Sequence, residues 1–330
     1  MIRVLAMTAA LALSFASAAH AACSGQDLRP TLTAEERSAL AEGLAQRPYP
    51  TGNHWRATRG DEVLHLVGTV HLGDPRLDGP VARIAPVVQS AATVLLEMTA
   101  VERKELQSAM ATKPDLLLLE GATLPDLLPE DEWQRLSKAL QARGMPAFMA
   151  ARFRPWYVSM LLALPPCLAT AMKEQDGLDA RIEALAEAAT VPVAALEPFD
   201  TGFRAFDAVP LEAQINLLRT SLMEPADGED MFATVVDSYL EEDHAESWLL
   251  TQILAPRFSP VTDDDQVFLD TLGKALLDDR NAQWIPVILR TLDTTEGPVV
   301  AAFGAGHLSG EAGVLRLLEQ RGFALERMPF

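Results

Sequence analysis

Twice in this chain an apolar, β-rich run stops at a glycine and delivers a histidine three residues later. Glu62-Val63-Leu64-His65-Leu66-Val67 runs into Gly68-Thr69-Val70-His71, and Val299-Val300-Ala301-Ala302-Phe303 runs into Gly304-Ala305-Gly306-His307. Glycine at such a place opens dihedrals closed to other residues and lets another group come close to the backbone. Two further runs end in a carboxylate: Ala92 to Leu96 gives Glu97, and Val191 to Leu196 gives Glu197. The chain order is therefore strand-His, strand-Glu, strand-Glu, strand-His. If these strands are parallel, all four polar groups meet at one carboxyl edge, where open α/β sheets bind their ligands.

Between the runs the apolar period changes from two to about 3.6. Helices are expected over 77–91 (Leu77, Val81, Ile84, Val88), 178–189 (Leu178, Ile182, Leu185) and 311–321 (Val314, Leu315, Leu318), with an edge strand from Phe323 to Met328. Strand, helix, strand at crossover spacing predicts an α/β fold with a mainly parallel central sheet. Two long, mainly helical inserts, about 100–172 and 205–291, interrupt the alternation and are expected to cap the carboxyl edge. The run Asp263-Asp264-Asp265 reads as a helix start and lacks the spacing of a calcium loop.

Residues 1–21 read as a cleavable leader: Arg3, then the apolar run Val4 to Phe15, then Ala19-His20-Ala21 ahead of Ala22. The domain proper is then 22–330, periplasmic or secreted. Its cysteines are Cys23 and Cys167, and an oxidising compartment favours a disulfide between them. Two cysteines cannot make a cysteine zinc site. Pro155 to Met172 carries no charge but is broken by Pro165-Pro166, so a buried helix and a turn are expected there, with no stable membrane insertion once the leader is gone. The formal charge of −19 repels nucleic acid and leaves peptide or small-molecule substrates open.

No Gly-x-Ser-x-Gly, P-loop or dinucleotide fingerprint is present. That leaves activated water, with or without a metal. His71, Glu97 and His307 are the leading candidates, with Glu197 beside them as a fourth metal ligand and Arg280 and Asn281 as support. Two imidazoles and carboxylates would suit a divalent transition ion (Mn, Co or Zn) with an open position. Without a metal, either histidine oriented by Glu97 could serve as general base. Both histidines, borne on loops, are expected to contribute little to packing. Asp176 and Asp179 fit helix-start positions, Arg280 fits an exposed face paired with Asp278 or Asp279, and His65 points to one face of its strand as a supporting residue.

The segments Leu64 to Leu72, Leu95-Leu96-Glu97, Gly177-Leu178-Asp179, Leu196-Glu197, Asp279-Arg280-Asn281 and Phe303 to Leu308 resemble the TraB/GumN family, which includes the Tiki proteases. The resemblance runs from about Leu64 to Phe330. It implies that His71, Glu97 and His307 are core site residues and that Arg280-Asn281 matches the family's Arg-Asn pair. Through the Tiki branch it implies a metal-dependent peptidase using manganese- or cobalt-type ions. Other members are tied to pheromone control or exopolysaccharide clusters, and related folds include erythromycin-esterase-like and haem-binding proteins. The alternative is therefore a non-catalytic periplasmic binding protein for a peptide, saccharide or haem-like ligand.

Overall fold

The computed structural model describes residues 23–168, 176–258 and 269–330. The expected leader and the Asp263–Asp265 run lie outside them. Within them a six-stranded sheet is built from β1 (His54–Arg59), β2 (Glu62–Thr69), β3 (Thr93–Leu96), β4 (Val193–Ala195), β5 (Val299–Gly304) and β6 (Ala324–Arg327), in the order β4-β3-β5-β2-β1-β6. The four strands that carry the motifs are parallel: β5 lies between β2 and β3, and β4 flanks β3. β1 and β6 extend the sheet antiparallel. β6 is the expected edge strand. β1 is not legible as a strand, because Arg56, Thr58 and Arg59 dilute its apolar alternation, and its pairing with β2 through the Gly60 turn, at φ +60°, and with β6 on its other side fixes it.

Alternation along the strands splits the core into two faces. Leu64, Leu66, Leu95, Ala301 and Phe303 face one way and pack against Trp284, Ile285, Ile288 and Leu292 of the helix Asp279–Thr294 and against Val314, Leu315 and Leu318 of Val314–Glu319. Val67, Val94, Leu96, Val300 and Ala302 face the other way, against Ile84 and Val88 of Asp78–Gln89 and Leu178, Ile182 and Ala186 of Leu178–Ala188. Side chains at i, i+3, i+4 on each helix meet period-two side chains on the sheet, which is the packing the sequence periods specify.

The two inserts differ from a simple cap. Part of the first (Leu124, Leu136, Leu140, Val158) joins Ile215 and Leu218 of the second in an apolar cluster separate from the sheet. The second also contains the helix Asp279–Thr294, whose apolar stripe covers a sheet face and whose first turn holds Arg280. It is therefore partly a crossover element. Cys23 and Cys167 form a disulfide, with Cα atoms 5.5 Å apart, that ties the segment before the first helix to the turn Pro166–Leu168. No described helix is long and apolar enough to cross a membrane.

Candidate functional site

The register sets the site. Thr69 pairs with Gly304, Leu96 with Ala302 on one side and with Ala195 on the other, so all four motif strands end nearly level. Glu97, Glu197, His71 and His307 leave the sheet within a residue or a short turn of those ends. At Gly304 the need is for closeness: a methyl group there would lie 3.3 Å from Glu97 Oε1, 3.7 Å from His307 Cδ2 and 3.9 Å from His71 Nε2. Gly304 itself has φ −49°, so no left-handed backbone is involved. At Gly68 a side chain would strike Leu308 Cδ1 at 2.6 Å and Ala305 at 3.0 Å, again a matter of room. The three leading residues thus converge on one point above Gly304.

Arg280 binds them together. Its Nη2 donates to Glu97 Oε2 (2.7 Å) and Glu197 Oε1 (2.6 Å), and its Nε donates to both Glu197 oxygens (3.1 and 3.0 Å). Nη1 donates to the Leu276 carbonyl (3.1 Å), which a single π-turn over Lys274–Asp278 presents just ahead of the helix. The remaining Glu97 oxygen accepts from the Gly304 N–H (2.6 Å), and the second Glu197 oxygen accepts from Trp284 Nε1 (2.8 Å). Arg280 is 12 % exposed and lies over the Trp284 ring. Of the two readings the sequence left for Arg280, the exposed, Asp-paired face is corrected, since Asp279 pairs with Lys274 and Arg280 turns inward, onto the carboxylates beside which it was expected as support.

His307 is buried beneath this pair. Asn281 Nδ2 donates to the Ala312 carbonyl (2.9 Å), so Oδ1 is the atom facing His307 Nδ1 at 2.6 Å. That assigns the proton to Nδ1 and leaves the Nε2 lone pair toward Arg280 Nη1, 3.3 Å away. The ring packs on Trp284 with centroids 4.3 Å apart. Burial lowers its pKa to about 4, against the pull of Glu97, so it is neutral at ordinary pH. The expectation that this histidine packs little is overturned, because the loop after β5 folds back under the helix Asp279–Thr294.

His71 is the opposite. Its side chain is 64 % exposed, and its Nδ1 faces Asp179 Oδ1 at 3.3 Å. The Asp179 carboxylate raises its pKa to about 9, overcoming partial desolvation, with Glu97 adding to the pull. Asp179 sits in the first turn of Leu178–Ala188, whose N-cap Gly177 is pressed so tightly on the His71 backbone that a Cβ there would come within 2.5 Å of it. Asp179 is thus a facing partner of His71 as well as a helix-start acid, whereas Asp176 pairs with Arg181. Burial works against an ionised Glu97, but the His307 and His71 rings, the Arg280 guanidinium and the Gly304 N–H together hold its carboxyl well below the usual carboxylate range.

A cavity of 550 Å³ opens onto this edge, walled by Val70, His71, Leu72, Glu97, Met98 and Asp179, with Arg103 and Leu164 contributed by the first insert. The buried Glu183 fixes that insert by accepting from the Ala100 N–H (2.6 Å) and pairing with Arg103. The other histidines among the described residues lie elsewhere: His54 Nε2 and His65 Nδ1 are 3.1 Å apart between β1 and β2, and His244 is held by Asn53 and Tyr49.

As arranged, these residues do not fit a divalent ion. Both Glu97 oxygens and both Glu197 oxygens already accept hydrogen bonds, and the His307 lone pair faces a guanidinium. A cation entering between the carboxylates would meet the permanent charge of Arg280. Among the described residues no group of three or more His, Cys, Asp or Glu is placed to hold a metal. The four expected ligands His71, Glu97, His307 and Glu197 do meet at one edge, but around an arginine. Sequence reasoning missed Trp284 and the Gly304 N–H: a lone tryptophan in an apolar helical stripe reads as core, and a backbone donor leaves no compositional trace.

A search of the curated proteins found no match. The family model described as the TraB/PrgY/gumN family matches residues 53–327, which span every strand and every site residue above, and the chain belongs to that family.

Proposed function

We propose that this chain is an exported, peptidase-like hydrolase that activates water at the sheet edge with His71. The observation that carries this is the convergence of His71 Nε2 and Glu97 Oε1 on one point at the wall of the cavity. Asp179 faces Nδ1 and holds the ring's proton there, so in the basic form of His71, which gains population as pH rises toward 9, Nε2 is the nitrogen that takes a proton from water. Glu97, pinned by Gly304 and Arg280, offers an oxygen lone pair to orient that water. The water loses its proton to His71 Nε2, its oxygen attacks the substrate carbonyl carbon, and the same proton passes to the departing amine as the C–N bond breaks. His307, Asn281, Glu197 and Trp284 position Arg280, whose charge keeps Glu97 ionised and in place. The leader-like residues 1–21 and the Cys23–Cys167 disulfide support export.

The apolar walls of the cavity support a second reading, a binding protein for a peptide or other partly apolar ligand. Cleavage of a peptide library, run in parallel with binding, separates the two. The hydrolase reading expects turnover by the wild type that survives a chelator and is lost in His71→Ala. Turnover that a chelator abolishes and manganese restores would establish a metal site and force Arg280 to move. Tight binding without turnover, unchanged in Glu97→Gln, would establish the binding protein.

A further inference from the structure

A second cavity, of 430 Å³, lies behind His307. Its wall includes Gly306 and Ser309, one on each side of that histidine, together with Asn281, Arg47 and Asp278. Two features set it apart from an incidental cleft. The half-buried guanidinium of Arg47 makes no side-chain hydrogen bond or ion pair among the described residues, although desolvation already disfavours its charge. Asp278, at the exposed rim, makes no side-chain hydrogen bond or ion pair among the described residues, although Lys274, paired with Asp279, acts on it from nearby. The two charges influence each other but do not meet as an ion pair.

An arginine left partly desolvated and unpaired is costly unless something completes it, and its planar fork matches a carboxylate. A dianion such as phosphate would be opposed by Asp278, by Glu311 in the same wall and by the chain's charge of −19. A simple cation would be opposed by Arg47. A ligand carrying both charges is opposed by neither. We infer that this cavity binds a small zwitterion, an amino acid or dipeptide, with its carboxylate on Arg47 and its ammonium on Asp278. The volume accommodates a dipeptide, and the inference stands whether or not the sheet edge is hydrolytic.

The test uses the mature chain carrying His71→Ala, so that a peptide probe is not cleaved. Glycylalanine, its N-acetyl form, its C-terminal amide and inorganic phosphate are titrated calorimetrically. Glycylalanine should bind one to one. Amidation and Arg47→Met should each weaken it about tenfold or more, the loss expected for a charge-assisted hydrogen bond. N-acetylation and Asp278→Asn should weaken it by a similar or smaller factor, and acetylation should matter little once Asp278 is replaced. Thermal melting checks that Arg47→Met remains folded, and Arg47→Lys should recover part of the affinity. The inference is overturned if glycylalanine does not bind, if phosphate binds instead, or if Arg47→Met and both capped probes bind like their references.

Discussion

The two strand-Gly-x-x-His ends are twins in sequence and opposites in the fold. His307 is buried, neutral, fixed in one tautomer by Asn281 and packed on Trp284. His71 stands mostly in solvent, faces Asp179 and holds its proton to higher pH. The difference lies in the chain just beyond each motif. After His307 the chain turns back beneath the helix Asp279–Thr294, whereas after His71 it passes over Gly177 and the start of Leu178–Ala188 beside the open cavity. A repeated motif thus supplies one group that can reach a substrate and one that holds the floor beneath it.

The sharpest way to break this comparison is activity. If His71 transfers the proton, His71→Ala should lower kcat by about 10²–10⁴-fold, the usual worth of a general base, with KM nearly unchanged. Equal losses in His71→Ala and Asn281→Ala would mean that the buried side does the chemistry. Next in size is Arg280→Ala, which leaves Glu97 and Glu197 buried without a counter-charge and should destabilise the fold by about 3–5 kcal/mol in urea unfolding. Arg280→Lys should recover only part, since an ammonium cannot reproduce the fork across two carboxylates. A wild-type midpoint for Arg280→Ala would sink the idea of a cationic floor.

Smaller effects separate the histidines themselves. His307→Ala leaves the Asn281 oxygen unpaired and a gap beside Trp284, so it should cost about 1–3 kcal/mol, whereas the exposed His71→Ala should stay within about 0.5 kcal/mol. The sequence expectation, that either replacement spares stability, holds on this account only for His71. In pH titration by NMR, His71 should change state near 9 and His307 near 4. Because the basic form of His71 is the active one, activity should rise with pH up to about 9, and Asp179→Asn should bring that rise down toward the ordinary histidine range. An unmoved profile in Asp179→Asn would remove Asp179 from the mechanism. For His307 the folded pKa lies below the unfolded one, so its contribution to stability is intact above about 6.5 and is lost as pH falls toward 4. His65 and His244, also lowered to about 4 by burial, should add to the same acid-side loss.

Local patterns in the sequence specify the α/β class, the four parallel motif strands, the crossover helices at Asp78–Gln89 and Leu178–Ala188, the disulfide partners and the convergence of His71, Glu97 and His307. The disulfide follows from there being two cysteines and an expected oxidising compartment; the rest come from period and from glycine at strand ends, which act over short stretches of chain, and from the crossover spacing that implies parallel pairing. Long-range contacts alone turn Arg280 inward, since its partners lie 183 and 83 residues away. They likewise make Trp284 anchor Glu197 while filling the core, and set Asp179 rather than Glu97 against the His71 ring nitrogen. Charge state and burial are set by neighbours brought from distant segments, so the same four letters, Gly-x-x-His, carried no sign of which histidine would be exposed. They also carried no sign that the carboxylates would close around a guanidinium, because a cation supplied by the chain and one supplied by solvent ask for the same acidic residues.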